Sequence, residues 1–218
     1  MRAKFFCVLC MFALALSGCQ TLNSLQPLAT AAPAGTVLFA DDFSSNSNHW
    51  GVSTGGAGEI NFAYQGLDMK VNQPNSMVWT VSGRKYQDVQ INVDNVLLSG
   101  PSNDAFGVVC RFQDNQHFYG FIVTHDGYYG IFKMQEGQLS LADAEGGLKY
   151  SQAIRQGGVV NHIQAVCQGD ILKLSVNGEL LAMIEDSSFT QGQIGLIAGT
   201  YATPGAELFF DNLKVTQP

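Results

Sequence analysis

The chain has 218 residues, a formal net charge of −7 and only 13% charged residues, with 24 glycines and 11% aromatics. That length holds one domain with a sizeable core, and the glycine and aromatic content suits a turn-rich all-β domain better than a helical one. With no basic run, this acidic chain excludes nucleic acid as a partner, because phosphate binding needs clustered Lys and Arg to displace counterions.

The chain opens on the basic tetrapeptide MRAK, and residues Phe5 to Leu16 (FFCVLCMFALAL) are apolar. As a helix this run is about 18 Å long at ~1.5 Å per residue, short of a hydrocarbon core of ~30 Å. Residues 1–18 therefore read as a cleavable export signal rather than a membrane span. The run ends in Leu16-Ser17-Gly18-Cys19, which resembles a bacterial lipoprotein box. The resemblance implies a lipid thioether on Cys19, cleavage before it and acylation (palmitate or a similar chain) of the new amine. Two or three acyl chains anchor firmly where one binds only marginally. Gln20 stands where a retention Asp would hold the protein at the inner membrane, so the implied address is the outer membrane or cell surface. After Cys19, the segment Thr21 to Gly35 (TLNSLQPLATAAPAG) has no charge and two prolines. Residues 19–35 read as the lipidated Cys and a flexible tether.

From Thr36 to Pro218 the pattern changes to strand-length apolar runs separated by Gly, Asn, Asp and Ser. These are TVLFADDF, EINFAYQ, LDMKVN, SMVWTVS, VQINVDNVLL, AFGVVCRF, HFYGFIV, YYGIFKM, VNHIQAVC, ILKLSV, ELLAMIE, GQIGLIAG and AELFFDNLKV. Period-two alternation is plain where Ile163, Ala165 and Cys167 alternate with His162, Gln164 and Val166. Asp126-Gly127 and Asn177-Gly178 each separate two such runs and supply the positive φ that tight hairpins require; Asn115 and its neighbours close another. Many short strands with no amphipathic helix predict an antiparallel β-sandwich or barrel.

The opening LFADDFSSNSNHW, the middle strands AFGVVCRFQ and FYGFIV, and the closing AELFFDNLKV resemble the concanavalin A-like jelly rolls. Within them the chain is similar to bacterial lipoprotein domains related to the 3-keto-disaccharide hydrolase domain family and to laminin-G-like modules. The resemblance spans residues 36–218 and implies a jelly-roll sandwich with a buried Phe and Trp near its start.

Two cysteines remain for the domain. Cys110 and Cys167 lie on predicted strands in phase with apolar neighbours, and in an oxidising compartment such a pair points to a disulfide closing a loop of roughly 57 residues. Two buried free thiols are the alternative.

Concanavalin-like glucanases carry two carboxylates on one strand in an ExDxxE run, so that period two sets both on one face. No such run exists here, and the six Glu residues are scattered. No GxSxG elbow is present either. His117, His125 and Asp126 lie near predicted strand ends, without the HxH or HExxH spacing that marks a metal. Asp41, Asp42 and Asp211 are candidates for a structural Ca²⁺ between the first and last strands, a hard ion suited to carboxylates and backbone carbonyls; no other cofactor is expected. The richest stretch is RFQDNQHFYGFIVTHDGYYGIFK, from Arg111 to Lys133. Alternation sets Cys110 and Phe112 on one face and Arg111 and Gln113 on the other, and sets Tyr119, Phe121 and Val123 against Phe118 and Ile122. Trp79, Arg111, His117, Tyr119, Asp126, Tyr128 and Tyr129 are then candidates for an aromatic platform with polar partners, which suits sugars: C–H faces stack on rings while hydroxyls meet fixed donors and acceptors. The expected function is a lipid-anchored envelope module, non-catalytic, binding a glycan or another extracellular ligand. The rival expectations are a 3-keto-glycoside hydrolase or lyase of the same fold, and a structural or protein-binding lipoprotein.

Overall fold

The computed structural model describes residues 32–142 and 146–218. The leader, Cys19 and most of the tether lie outside the described residues. Gly35 N–H donates to Gln217 O at 2.8 Å, and Gln217 N–H donates to Thr36 O at 2.9 Å, which ties the start of the domain to the end of its last strand.

The described residues form an all-β antiparallel sandwich of two sheets. The nine-stranded sheet runs, in spatial order, through β14 (Glu179–Glu185), β13 (Ile171–Val176), β12 (Asn161–Gln168), β6 (Val89–Ser99), β16 (Ala206–Thr216), β4 (Gly66–Val71), β3 (Gly58–Ala63) and β2 (Ser53–Thr54), with β1 (Val37–Asp41) also on β16. The seven-stranded sheet runs β10 (Gln138–Leu141), β9 (Tyr128–Gln135), β8 (His117–Val123), β7 (Asp104–Asp114), β15 (Gly192–Thr200) and β5 (Ser76–Tyr86), with β11 (Lys149–Tyr150) also on β9.

Alternation decides which side chains meet between the sheets. On β13, Leu172, Leu174 and Val176 point inward, and on β6 Val89, Ile91 and Val93 do the same. They face Phe106, Val108, Tyr119, Phe121 and Val123 of β7 and β8 in one continuous core. The pair Asn177-Gly178, at φ 52° and 87°, turns β13 into β14 in the geometry a two-residue hairpin requires. Cys110 of β7 and Cys167 of β12 are bonded as expected, with Cα atoms 6.9 Å apart, so one covalent link crosses the core from sheet to sheet. Closing a loop with a sequence separation of 57 contributes about 4 kcal/mol by chain entropy. Near the start, Phe43 and Trp50 are buried as expected, and their rings pack edge to face at 5.5 Å.

The outward side of the seven-stranded sheet is also apolar. Val109, Phe112, Phe118, Ile122, Phe132, Met134 and Ile197 form a second buried cluster there, with Met77, Trp79, Leu141 and Leu148 packed against it. Gly120 permits this layer: a Cβ at that position would lie 2.1 Å from the Phe132 ring, which rests over it. Strands buried on both faces read as near-continuous apolar runs, and β7 and β8 do.

Candidate functional site

Two ends of the seven-stranded sheet carry the residues that the sequence singles out, and they carry them differently. The simple alternation fails at Arg111. There β7 bulges, its register to β8 shifts between Cys110 and Asp114, and Arg111 adopts φ 52°. A bulge inserts one residue and reverses the phase beyond it. Phe112 therefore turns outward with Val109 instead of inward with Cys110. Arg111 is 2% exposed and donates to Phe189 O at 2.8 Å and Gly169 O at 2.7 Å. It braces two loops and is no part of an open platform.

Tyr119 is likewise fully buried. Its hydroxyl donates to Asp186 Oδ1 at 2.6 Å and accepts the Phe189 N–H at 3.1 Å. Lys133, its cross-strand neighbour on β9, reaches Asp186 Oδ2 at 2.7 Å and Ser188 Oγ at 3.0 Å. Burial, followed by the hydrogen bond to Asp186, pushes the Tyr119 hydroxyl up to about 12. Burial pushes the Asp186 carboxyl up as well, but the bonds from Lys133, Ser188 and Tyr119 outweigh it and hold that group well below the usual carboxylate range. His117, at the same end, bonds Asp114 at 2.8 Å and sets its ring edge-on to Phe189 at 6.0 Å. Trp79 leans across Phe118 on the outward face, centroids 5.5 Å apart, and its Nε1–H donates to Asn115 Oδ1 at 3.2 Å.

The opposite end is built on the turn from Thr124 to Tyr128. Thr124 N–H donates to Tyr128 O at 2.8 Å and Gly127 N–H to Thr124 O at 3.1 Å, while the Thr124 hydroxyl bonds Asp126. Beneath the turn, Asp104 and His125 form a pair whose side chains are both 0% exposed. His125 Nδ1 lies 2.9 Å from Asp104 Oδ2, and its backbone N–H donates to Asp104 Oδ1 at 3.1 Å. The imidazole stacks on Phe106 at 4.1 Å, and its Nε2 has no hydrogen-bond partner among the described residues. Burial pushes the Asp104 carboxyl up, opposed by its bonds to His125.

Above that pair the side chains are open. Tyr128 is 41% exposed and Tyr150 is 51% exposed, and their rings meet edge to face at 5.6 Å. Gln156 Nε2 donates to the Tyr150 hydroxyl at 3.0 Å and to Asp126 O at 3.4 Å. Tyr201, also part-exposed, lies within the field of Asp126 and Asp104: burial first, and then those two charges, push its hydroxyl up. Tyr201 also lines a groove of about 320 Å³ on the outward face, floored by Met77, Ile122, Leu141 and Leu148. The site is thus an aromatic rim with an amide and a carboxylate beside it, and Tyr201 alone of these residues also lines the apolar groove.

Of the expected platform residues, Asp126 and Tyr128 belong to this rim. Tyr129 does not: at 9% exposure it points into the core. Arg111, His117 and Tyr119 sit at the other end, and Trp79 lies between on the outward face. Tyr150, Gln156 and Tyr201 were missed by the alternation argument, since β11 is only two residues long and the others lie in loops. The three acids expected to hold calcium are not gathered. Asp41 accepts from Phe43 N–H, from Asn48 Nδ2 and from Trp50 Nε1 at 2.7 Å, Asp42 caps Ser44 N–H, and Asp211 takes Asn212 N–H. Among the described residues, no three His, Cys, Asp or Glu side chains converge as metal ligands.

No family model and no curated protein matches the chain. Solved structures do. A carbohydrate binding module, CBM66, from Bacillus subtilis superposes with a TM-score of 0.63 at 18% identity, covering 77% of this chain and 95% of its own. A Bacillus subtilis protein of unknown function with a galectin-like fold gives 0.60 at 13% identity, covering 85% and 97%. The carbohydrate recognition domain of Emp46p, in its metal-free form, gives 0.56 at 10% identity, covering 82% and 92%. At these identities the likeness establishes the sandwich fold.

Proposed function

We propose that this protein is a non-catalytic glycan-binding module, held at the bacterial envelope by lipid on Cys19. One observation carries the reading: the exposed Tyr128–Tyr150 pair, set on a rigid turn with the Gln156 amide and Asp126 beside it. Exposed rings offer flat apolar area at low conformational cost, and neighbouring amide and carboxylate groups fix a sugar's hydroxyls. The fold is one that carbohydrate-binding modules share, which supports the reading without naming a sugar. The buried Asp104–His125 pair has the residue types of an acid–base dyad, yet both side chains are sealed from solvent and out of reach of a substrate's reacting atoms. The lipid anchor rests on Leu16-Ser17-Gly18-Cys19 and the short apolar run before it. The outer membrane or cell surface follows from Gln20 in the same way.

The test is a glycan array probed with the full-length chain as wild type, Tyr128→Ala and Tyr150→Ala. Each substitution is expected to weaken the best signal by about 1 kcal/mol, roughly fivefold. Unchanged binding in both variants would remove the rim from the site.

A further inference from the structure

The nine-stranded sheet has an outward face of its own, and one turn on it departs from ordinary turn chemistry. Strands β3 and β4 are joined by Tyr64-Gln65, at φ 56° and 60°. Two successive left-handed residues define the hairpin turn that Asn-Gly or Asp-Gly normally occupies. A bulky aromatic there is strained, and Tyr64 is nevertheless 77% exposed, with its ring in solvent rather than packed. Backbone strain in favour of an unpacked ring gives the fold nothing in return, so its return is sought outside the fold.

The surroundings supply an occupant's outline. Tyr64, Val96, Leu98 and Phe209 line an open groove of about 410 Å³. The Phe209 ring reaches over Gly66, where a Cβ would sit 2.1 Å from it, so an aromatic ring lines the groove. Through Val96 and Phe209 the groove continues into a smaller cleft of about 130 Å³ lined also by Asp94, Asp211 and Asn212. Asp94 is held in place there by His162 Nδ1 at 2.8 Å and Asn212 Nδ2 at 3.0 Å, and its carboxylate keeps further lone pairs. Asn95 lines the same cleft; it donates Nδ2–H to Phe209 O at 3.1 Å and leaves Oδ1, on a residue 1% exposed, without a partner.

We infer that this face is a second binding site, for a neutral glycan, formed by Tyr64 and Phe209 as stacking rings and by Asp94, Asp211 and Asn212 as hydroxyl partners. An apolar protein segment laid here would strip water from Asp94 and Asp211 and return no hydrogen bond. An anionic sugar would meet two carboxylates. A neutral sugar ring answers both halves, with C–H groups against the rings and hydroxyls that donate to the acids. Because this face belongs to the sheet opposite the tyrosine rim, the two sites can engage separate stretches of glycan and raise avidity without any new contact.

The inference does not rest on the rim. It is tested on an array of neutral gluco-, manno-, galacto-, xylo- and fructo-oligosaccharides, with the full-length chain as wild type, Tyr150→Ala, Tyr64→Asn and the double variant. Asn tolerates the left-handed turn better than Tyr, so Tyr64→Asn should hold or raise the melting temperature, and lost binding cannot be lost folding. A signal that survives Tyr150→Ala and falls at least fivefold in the double variant is the expected result. A signal indifferent to Tyr64 in both backgrounds overturns this site and leaves the rim. A signal lost in Tyr64→Asn and untouched by Tyr150→Ala overturns the rim and leaves this site. Silence of the wild type on these neutral sugars overturns this site and leaves the rim to the wider array.

Discussion

The two ends of the seven-stranded sheet are made from the same kinds of residue and put them to opposite uses. At the Asp186 end, Arg111 gives Nη1 and Nη2 to the chain's own carbonyls, and Tyr119 and Lys133 turn to the Asp186 carboxylate. At the rim, the buried Asp104–His125 pair fixes the turn from below, and the tyrosines above it stay in solvent. Buried polar groups that point only at the fold's own atoms cannot reach a ligand, whereas exposed ones with lone pairs to spare can. A site therefore needs rigidity supplied by groups other than those that touch the ligand. The rim has that division and the Asp186 end lacks it.

The comparison breaks most sharply at Arg111. Arg111→Ala orphans the buried carbonyl of Phe189, removes the partner of the part-buried Gly169 carbonyl and empties a buried side-chain site, and should cost about 3 kcal/mol in urea unfolding. Glycan affinity of the folded fraction should not change, since the brace lies at the far end of β7 from Asp104. A loss of affinity without loss of stability would return Arg111 to the recognition surface. Asp104→Asn is the matching break beneath the rim. It replaces one of the two carboxylate oxygens that face His125 Nδ1 and N–H by an amide NH2, which cannot accept, and the broken bond should cost about 2 kcal/mol. Here stability and affinity should fall together, because the turn that presents Tyr128 loosens.

Much of this architecture is legible in the sequence. The runs HFYGFIV, ILKLSV and ELLAMIE coincide with β8, β13 and β14 to the residue, because Gly, Asn and Asp punctuate them into runs too short for a stable helix. Phase points Cys110 and Cys167 inward and makes their bond possible, while the placing of β7 and β12 on facing sheets, which the sequence does not carry, decides it over two free thiols. The site was less legible for three physical reasons. A bulge reverses side-chain phase without a sequence signal, and Arg111, neither Gly nor Asn, sits in the left-handed region. Strands of two residues, such as β11, are too short for alternation to register. The Tyr64-Gln65 turn carries none of the residues by which such turns are recognised, so EINFAYQ reads as uninterrupted strand.

Acid separates the two ends by a smaller effect. Asp186, although burial raises its pKa, is held below the usual carboxylate range by Lys133, Ser188 and Tyr119. A carboxyl depressed in the fold releases its proton more readily there than in the unfolded chain. Its contribution is therefore complete above the unfolded value of about 4 and fades as the pH falls from there towards the folded value. Asp104 is shifted the other way by burial, so its ionised form is a cost to the fold that lessens as it gains its proton. Lowering the pH from about 5 to 3 should thus loosen the Asp186 end first, by at most about 1 kcal/mol for a partly exposed ion pair. Hydrogen exchange would register this as earlier opening around Tyr119 and Phe189 than around Thr124 and Tyr128. Asp186→Asn should flatten that acid slope and Asp104→Asn should leave it in place. A slope unchanged by Asp186→Asn would mean that the carboxylate is not what holds that end closed.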